Sequence, residues 1–413
     1  MSARDVIEIL AIVLAAGLVS EVVAGLLRLP RMVVLLAAGV VLGPEALDAI
    51  EVPLDSIGVE LLLTFGVSII LFYGGLGVAF AILSRTGIGL TLLAVPGVVL
   101  TALVVGAVAS AAFDVSFVTG FLVGAVLAPT DPAILVPLFE RLRIRPKVSQ
   151  TLIAESAFND ATGSVLALSI AAFVLEGEGN LTAPLAEFVE ELAVSIALGV
   201  VFGLVLAVVI ARRRIGIWRE SPVVALAALI AVAYVAIDSA GGSGYMGAFI
   251  AGVIAGNAES LRLGRAEHHE RELSLFAERI TDIVVLFVFI LVGANLPFDA
   301  MADNAAPALA TLASLLFLAR PLTVAASLLP DRRGRWTREE LAFVTWTRET
   351  GVVPVALVGI LVAEGVPYED ELLTLVAFAI VVTLGLQATT KGWLARRLGL
   401  AETPAEATLF AAR

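Results

Sequence analysis

Residues 117–132 read FVTGFLVGAVLAPTDP, an apolar run that ends in two prolines three residues apart. Each proline lacks a backbone N–H and clashes with the preceding turn, so a helix starting here is predicted to break at Pro129 and Pro132. Such a break deep in a membrane is tolerated only where protein or a water-filled cavity supplies partners for the freed backbone groups. Asp131 can neutralise exposed N–H groups at the start of a half-helix, and Thr130 can face a cation through its hydroxyl or carbonyl.

The composition places this run in a membrane. The chain has 413 residues, of which 60% are hydrophobic and 15% charged, and its mean hydropathy is +1.02. These values exclude a water-soluble chain, and the long continuous apolar runs predict an all-α polytopic membrane protein. Cysteine is absent, which excludes disulfides, thiolate metal sites and cysteine nucleophiles. We expect neither a cofactor nor an enzymatic activity.

Breaks at proline, glycine and charge clusters predict about thirteen transmembrane helices. They lie near residues 5–27, 32–47, 58–82, 87–111, 116–138, 149–174, 188–211, 221–239, 244–257, 277–296, 306–329, 339–363 and 371–393. Of the 26 Lys and Arg residues, all but three are assigned to alternate connections, and Lys391 is one of the residues so assigned. The opposite connections are acidic. Because cytoplasmic loops collect basic residues, the pattern predicts an outside N-terminus and a cytoplasmic C-terminus in the cell membrane. The net charge of −12 reflects an acidic exterior face and does not indicate a nucleic-acid partner.

The sixth span carries a polar segment, AESAFNDATGS at residues 154–164. On a helix, Glu155 and Asn159 share one face, and Ser156 and Asp160 lie on the adjoining one. A charge at the bilayer centre costs at least ~2.5–3.5 kcal/mol, so these residues are candidates for function. Oxygen ligands without His or Cys suit a hard cation and disfavour zinc or copper. A buried polar network that only holds helices together is the alternative interpretation.

The twelfth span is interrupted in a similar way by RETGVVP at residues 348–354, which includes Arg348, Gly351 and Pro354. Two broken spans at matching positions indicate an inverted-repeat transporter, with two unrelated proline kinks as the alternative. The first repeat is then residues 5–174, the connector 188–211 and the second repeat 221–393, all within a membrane domain of residues 1–396. Residues 397–413 are expected to form a short cytoplasmic tail. Arg320, in the eleventh span, needs a carboxylate partner, for which Glu155 is the best candidate.

Further motifs occur in an order that resembles one family. They are Leu29-Pro30 with Gly39 and Gly43-Pro44, residues 71–76 (LFYGGL), Thr130-Asp131-Pro132, Glu155 to Asp160, residues 244–252, Phe289 to Gly293, and Ala319-Arg320. The chain resembles the monovalent cation:proton antiporters of family 1, the sodium/proton exchangers, and in particular their prokaryotic NhaP-like members. Thr130-Asp131-Pro132 together with Asn159-Asp160 is the specific signature, and the resemblance spans nearly the whole chain.

The resemblance implies a role for each residue of the signature. Asp160 is expected to exchange a monovalent cation for a proton, with Thr130, Glu155 and Ser156 completing the ion site and Arg320 pairing with Glu155. The fifth and twelfth spans of the family are unwound and cross near this site, and its members are usually homodimers. The family often has Gly-Leu-Arg-Gly in the twelfth span, whereas residues 346–351 here read WTRETG.

The predicted function is therefore secondary active antiport of Na+, or of Li+, against H+ by alternating access. Transporters with two adjacent aspartates at this point can exchange two protons, but Asn159 stands in the first of these positions and cannot titrate. A single exchanging carboxylate predicts electroneutral one-for-one exchange. A K+/H+ antiporter of the same fold and a proton-gated cation channel or sensor are the alternatives.

Overall fold

The computed structural model describes residues 3–27, 29–54, 56–130, 139, 143–176, 182–211, 221–261, 263 and 267–401. The α-helices of these residues are α1 (Ala3–Leu27), α2 (Arg31–Leu42), α3 (Ile57–Leu76), α4 (Phe80–Ala94), α5 (Pro96–Phe113), α6 (Phe117–Val126), α7 (Pro146–Glu176), α8 (Thr182–Ala211), α9 (Pro222–Asp238), α10 (Gly244–Gly256), α11 (Glu267–Ala294), α12 (Phe298–Asp303), α13 (Ala305–Ser314), α14 (Arg320–Leu328), α15 (Arg338–Trp346), α16 (Val352–Ala363), α17 (Glu369–Val382) and α18 (Thr389–Arg397). Two π-helical segments, Leu315–Ala319 and Thr383–Ala388, join α13 to α14 and α17 to α18.

The all-helical fold predicted from the hydropathy is confirmed. Over the described ranges the only β-type pairing is an isolated bridge between Ile144 and Ala401. Seven helical stretches there are long and apolar enough to cross a membrane, and five shorter apolar helices accompany them. The exact number of crossings stays a prediction.

Glycines allow several of these helices to approach each other closely. A Cβ atom on Gly39 of α2 would lie 2.2 Å from the carbonyl oxygen of Ile290 in α11. One on Gly252 of α10 would lie 2.2 Å from the carbonyl oxygen of Phe72 in α3. Small residues at such contacts are typical of membrane helices, which associate largely through close packing. Both glycines belong to motifs that the sequence analysis singled out.

Helical structure stops at both places where the sequence predicted a break, and these are named the first break (residues 127–130) and the second break (residues 347–351). Helix α6 ends at Val126, and residues 127–130 continue without helical structure. The second break separates α15 from α16 and comprises residues 347–351. Gly351 is the N-cap of α16, and Pro354 lies in its first turn, where a missing N–H leaves no intrahelical bond unmade.

Lys391 contradicts its assignment to a cytoplasmic connection. It lies in α18, its side chain is fully buried, and it forms an ion pair with Glu349 in the second break. A lysine inside a hydrophobic span is tolerated because a carboxylate partner is buried beside it. The charge pattern cannot reveal this, since a basic residue near the end of a span looks the same whether it faces water or the protein.

Candidate cation site

Helix α7 brings the polar residues of the sixth span into the protein interior. Glu155, Ser156 and Asn159 are each 2% exposed, and Asp160 is 5% exposed. The helix runs unbroken over 31 residues, so these side chains keep the helical spacing that the sequence analysis assumed. The structure therefore places two carboxyl groups, a hydroxyl and a carboxamide within two turns of one buried helix.

Thr130 joins the first break to this part of α7. Its N–H donates to Asn159 Oδ1 at 3.1 Å, and its hydroxyl lies 2.8 Å from Ser156 Oγ. Asn159 Nδ2 also donates to the Thr130 hydroxyl at 3.0 Å. Asn159 thus satisfies a backbone donor that the break leaves without a helical partner.

The close approach of this break to α7 depends on a glycine. A Cβ atom on Gly163 would lie 2.6 Å from Cγ of Pro129. Any other residue at 163 would push the proline ring, and the chain that follows it, away from α7. Pro129 therefore both ends the helix and packs against the site helix. Asp131 and Pro132, which the sequence analysis assigned to the same break, lie outside the described residues.

Glu155 and Arg320 form the ion pair expected from the sequence. Arg320 Nη1 donates to Glu155 Oε1, Nη2 donates to Oε2 at 3.1 Å, and both side chains are almost fully buried. The same guanidinium donates to the carbonyl oxygen of Val344 at 3.0 Å and to that of Thr347 at 3.2 Å. Arg320 consequently ties the carboxylate of α7 to the last turn of α15 and to the start of the second break. A guanidinium suits this position because its donors form a planar fork.

Arg348 connects the two breaks directly. Its Nη2 donates to the carbonyl oxygens of Leu127 and Ala128, at 2.9 Å and 2.8 Å. These carbonyls follow the last turn of α6, where the helix dipole and unpaired carbonyl groups favour a cation. The side chain is 4% exposed, so this link is made in the protein interior. The fifth and twelfth spans therefore meet at their non-helical segments.

The sequence did not reveal which backbone carbonyl groups accept hydrogen bonds from the two buried arginines. The carbonyl partners of Arg320 and Arg348 carry no signature, because every residue has a carbonyl group. The available signal was that Arg320 and Arg348 lie well inside predicted spans, which indicated that each needed buried acceptors.

The geometry defines a buried, oxygen-rich site beside a helix break. Thr130 is in hydrogen-bond contact with both Ser156 and Asn159, and Asp160 follows Asn159 and lies one helical turn after Ser156. Glu155 is neutralised by Arg320 and does not add a second uncompensated charge. Such a site can bind a hard cation, or a proton on a carboxylate, but it lacks the His and Cys ligands of a zinc or copper centre.

The chain is similar to known membrane transport proteins. The family model described as "Sodium/hydrogen exchanger, transmembrane" matches residues 9–397. The chain is 28% identical over 372 residues to "Probable Na(+)/H(+) antiporter 2" of Methanocaldococcus jannaschii, covering 86% of this chain and 84% of that protein. It is 26% identical over 395 residues to "K(+)/H(+) antiporter NhaP2" of Shewanella oneidensis, covering 94% of this chain and 66% of that protein.

A solved structure shares the fold. The structure of the sodium proton antiporter MjNhaP1 from Methanocaldococcus jannaschii at pH 8 superposes with a TM-score of 0.82 at 24% sequence identity. The match covers 95% of this chain and 99% of that one. At this identity the similarity establishes the arrangement of helices.

Proposed function

The chain belongs to the sodium/hydrogen exchanger family, and on that premise we propose that it is a secondary antiporter that exchanges Na+ for H+ across the membrane. Asp160 is the exchanging carboxylate, and Thr130, Ser156 and Glu155 are assigned to the cation site around it. Asn159 orders the break beside the site. The proposal describes a transporter, with no enzymatic step and no cofactor.

The observation that carries the proposal is the position of Asp160. It is buried on α7, next to Asn159, which binds Thr130 of the first break. The second break is held against the first by Arg348. Broken helices that meet at a buried polar site are the arrangement in which secondary transporters bind their ions. Because a carboxylate holds either one proton or one cation, binding of the two substrates is mutually exclusive. That exclusion couples their movement in opposite directions when the site opens alternately to each side.

The remaining features of the proposal follow the sequence. Residues 5–174 and 221–393 are assigned to two inverted repeats, residues 188–211 to a connector and residues 397–413 to a cytoplasmic tail. The protein is assigned to the cell membrane. Its N-terminus is assigned to the outside of the cell and its C-terminus to the cytoplasm. The functional unit is proposed to be a homodimer.

K+/H+ exchange is the second candidate, because the Shewanella relatives are named as K+/H+ antiporters. Purified protein in liposomes distinguishes the two when internal pH is followed after gradients of Na+, Li+ or K+ are imposed in turn. We expect Na+ and Li+ to drive proton movement and K+ to leave the pH at the level of empty liposomes. If K+ alone drives proton movement, the protein is a K+/H+ antiporter and the assignment of Na+ as its substrate is wrong. Conduction that K+ or Na+ supports without any counter-movement of protons would instead indicate a channel.

The cycle is expected to be electroneutral. With Asn159 unable to titrate and Glu155 paired with Arg320, the site carries the same charge whether Asp160 holds Na+ or a proton. Membrane potential, worth ~2.3 kcal/mol per charge per 100 mV, then contributes nothing to the driving force.

A diffusion potential imposed by K+ and valinomycin, without a Na+ or proton gradient, tests this expectation. Protein-containing liposomes should show the same Na+ uptake as empty ones. Na+ flux that is sustained by the potential and reverses with its sign would require a second titrating group, and Glu155 would be the first to examine.

A further inference from the structure

The sequence contains two lysines among its 26 Lys and Arg residues, and they bind glutamates near opposite ends of α15. Lys147, at the start of α7, pairs with Glu340 in the first turn of α15. Lys391, in α18, pairs with Glu349 in the break that follows α15. The cation site as described uses neither pair. In the first pair Lys147 is partly exposed and Glu340 is buried, whereas both members of the second pair are buried in the protein interior.

The second break is anchored residue by residue to four different elements. The Thr347 carbonyl accepts from Arg320 of α14 at 3.2 Å, and Arg348 donates to the carbonyls that follow α6. On the other side, Glu349 pairs with Lys391, and the Thr350 N–H donates to Thr383 Oγ1 at 3.1 Å. The first two residues of the break, Thr347 and Arg348, thus bind toward the cation site, and the next two, Glu349 and Thr350, bind toward the last span.

The Glu349–Lys391 pair is the charged contact on the side away from the site. Glu349 is 1% exposed and Lys391 is 0% exposed, so water does not screen their attraction. An ammonium group is a compact point charge and suits a pocket offering one carboxylate, whereas a guanidinium would bring five donors that need acceptors. A non-helical segment has no backbone ladder to fix its position, so a buried ionic link has a large influence on where it lies.

We propose that Glu349 and Lys391 are a positioning pair that holds residues 347–350 in register against the last span. In that register Arg348 reaches the carbonyls of Leu127 and Ala128, and the Thr347 carbonyl reaches Arg320. Loss of either partner leaves a buried charge uncompensated and displaces the break, which disturbs the cation site at a distance. The inference rests on the proposed function, because the site it positions is the proposed Na+ site.

The test compares Glu349→Gln, Lys391→Met and the double variant in the full chain, purified and reconstituted in liposomes. The readouts are the apparent KM for Na+ of Na+-driven proton movement and, without any transport, the rise in melting temperature that Na+ causes. Each single variant is expected to raise the apparent KM about tenfold and to lose most of the Na+-induced shift, while the double variant returns to within about threefold of the native KM. Lys147→Met, which breaks the other lysine pair at the far end of α15, is the matched control and should keep the native KM.

Single variants that melt at lower temperature but keep the native KM and the native Na+-induced shift would overturn the proposal and leave the pair a purely structural contact. If the single variants do not fold, Glu349→Asp takes their place, since it keeps the charge and shortens the side chain by one methylene. It should fold and raise the KM, and an unchanged KM would again contradict the proposal. A native protein that moves no protons with any cation would refute the proposed function instead, and the Na+-induced shift in the variants would still report on positioning.

Discussion

Asp160→Asn is expected to abolish cation/proton exchange for every cation tested, between about pH 6 and about pH 9, while folded protein remains. Asparagine is nearly isosteric with aspartate and keeps two polar atoms at a buried position, so the packing of α7 is retained. It cannot bind a proton in exchange for a cation, and the coupling step is lost. Transport is measured as cation-driven pH change in liposomes, and folding as a monodisperse profile in size-exclusion chromatography.

The matched control is Glu191→Gln, which neutralises another carboxyl group close to α7. Glu191 lies in α8 and accepts a hydrogen bond from Ser169 of α7 at 2.6 Å, but it belongs to no contact of the cation site. This variant should transport at near-native rates. If Asp160→Asn transports like the native protein at any pH in this range, another carboxylate is the exchanging group.

Breaking the Glu155–Arg320 pair is expected to give the largest loss of stability. Removing one partner of a buried ion pair leaves the other charge uncompensated, which costs roughly 3–5 kcal/mol. Glu155→Gln and Arg320→Met should each lower the melting temperature of the purified protein. The double variant should recover part of the loss, because no unpaired charge remains.

The structure adds an asymmetry to this prediction. Arg320 also donates to the carbonyls of Val344 and Thr347, so Arg320→Met deprives three acceptors of a partner and Glu155→Gln does not. Arg320→Met should therefore be the less stable single variant, and the recovery in the double variant should be incomplete. Additive losses in the double-mutant cycle would mean that the two side chains do not interact.

The helices and their breaks could be predicted because local chemistry determines them. Hydropathy and charge indicate where apolar helices lie. Pro129 and Pro354 lack the N–H that a helix interior requires, and Gly351 disfavours a helical conformation. The pairing of Arg320 with Glu155 was also predictable, since a permanently charged guanidinium in an apolar span requires a carboxylate.

The remaining contacts depend on how the helices pack, which no local pattern encodes. The π-helical segment before Arg320 was predictable only in part. Pro321 has no N–H for the carbonyl of Phe317, and the preceding turn widens, with the N–H of Arg320 bonded to the carbonyl of Leu315. The proline was visible in the sequence, but whether the helix would bend, break or widen was decided by its neighbours.

The pairing of Glu349 with Lys391 was the least predictable contact of the site region. The two residues are far apart in the chain, and the sequence around each of them does not indicate a buried ion pair. Lys391 is followed by two arginines near the end of a span, as in a cytoplasmic loop, and Glu349 stands where the family motif has no acidic residue. Their contact follows from the packing of α18 against the second break, which only the tertiary structure reveals.

Simultaneous measurement of 22Na+ uptake and internal pH in liposomes, with the membrane potential clamped at zero, tests the central claim most directly. An outward proton gradient should drive Na+ inward and an outward Na+ gradient should drive protons inward. The ratio should be one proton for each Na+, and Asp160→Asn should eliminate both fluxes. Na+ uptake unaccompanied by proton release, or equal fluxes in the Asp160→Asn variant, would contradict obligatory exchange at this carboxylate.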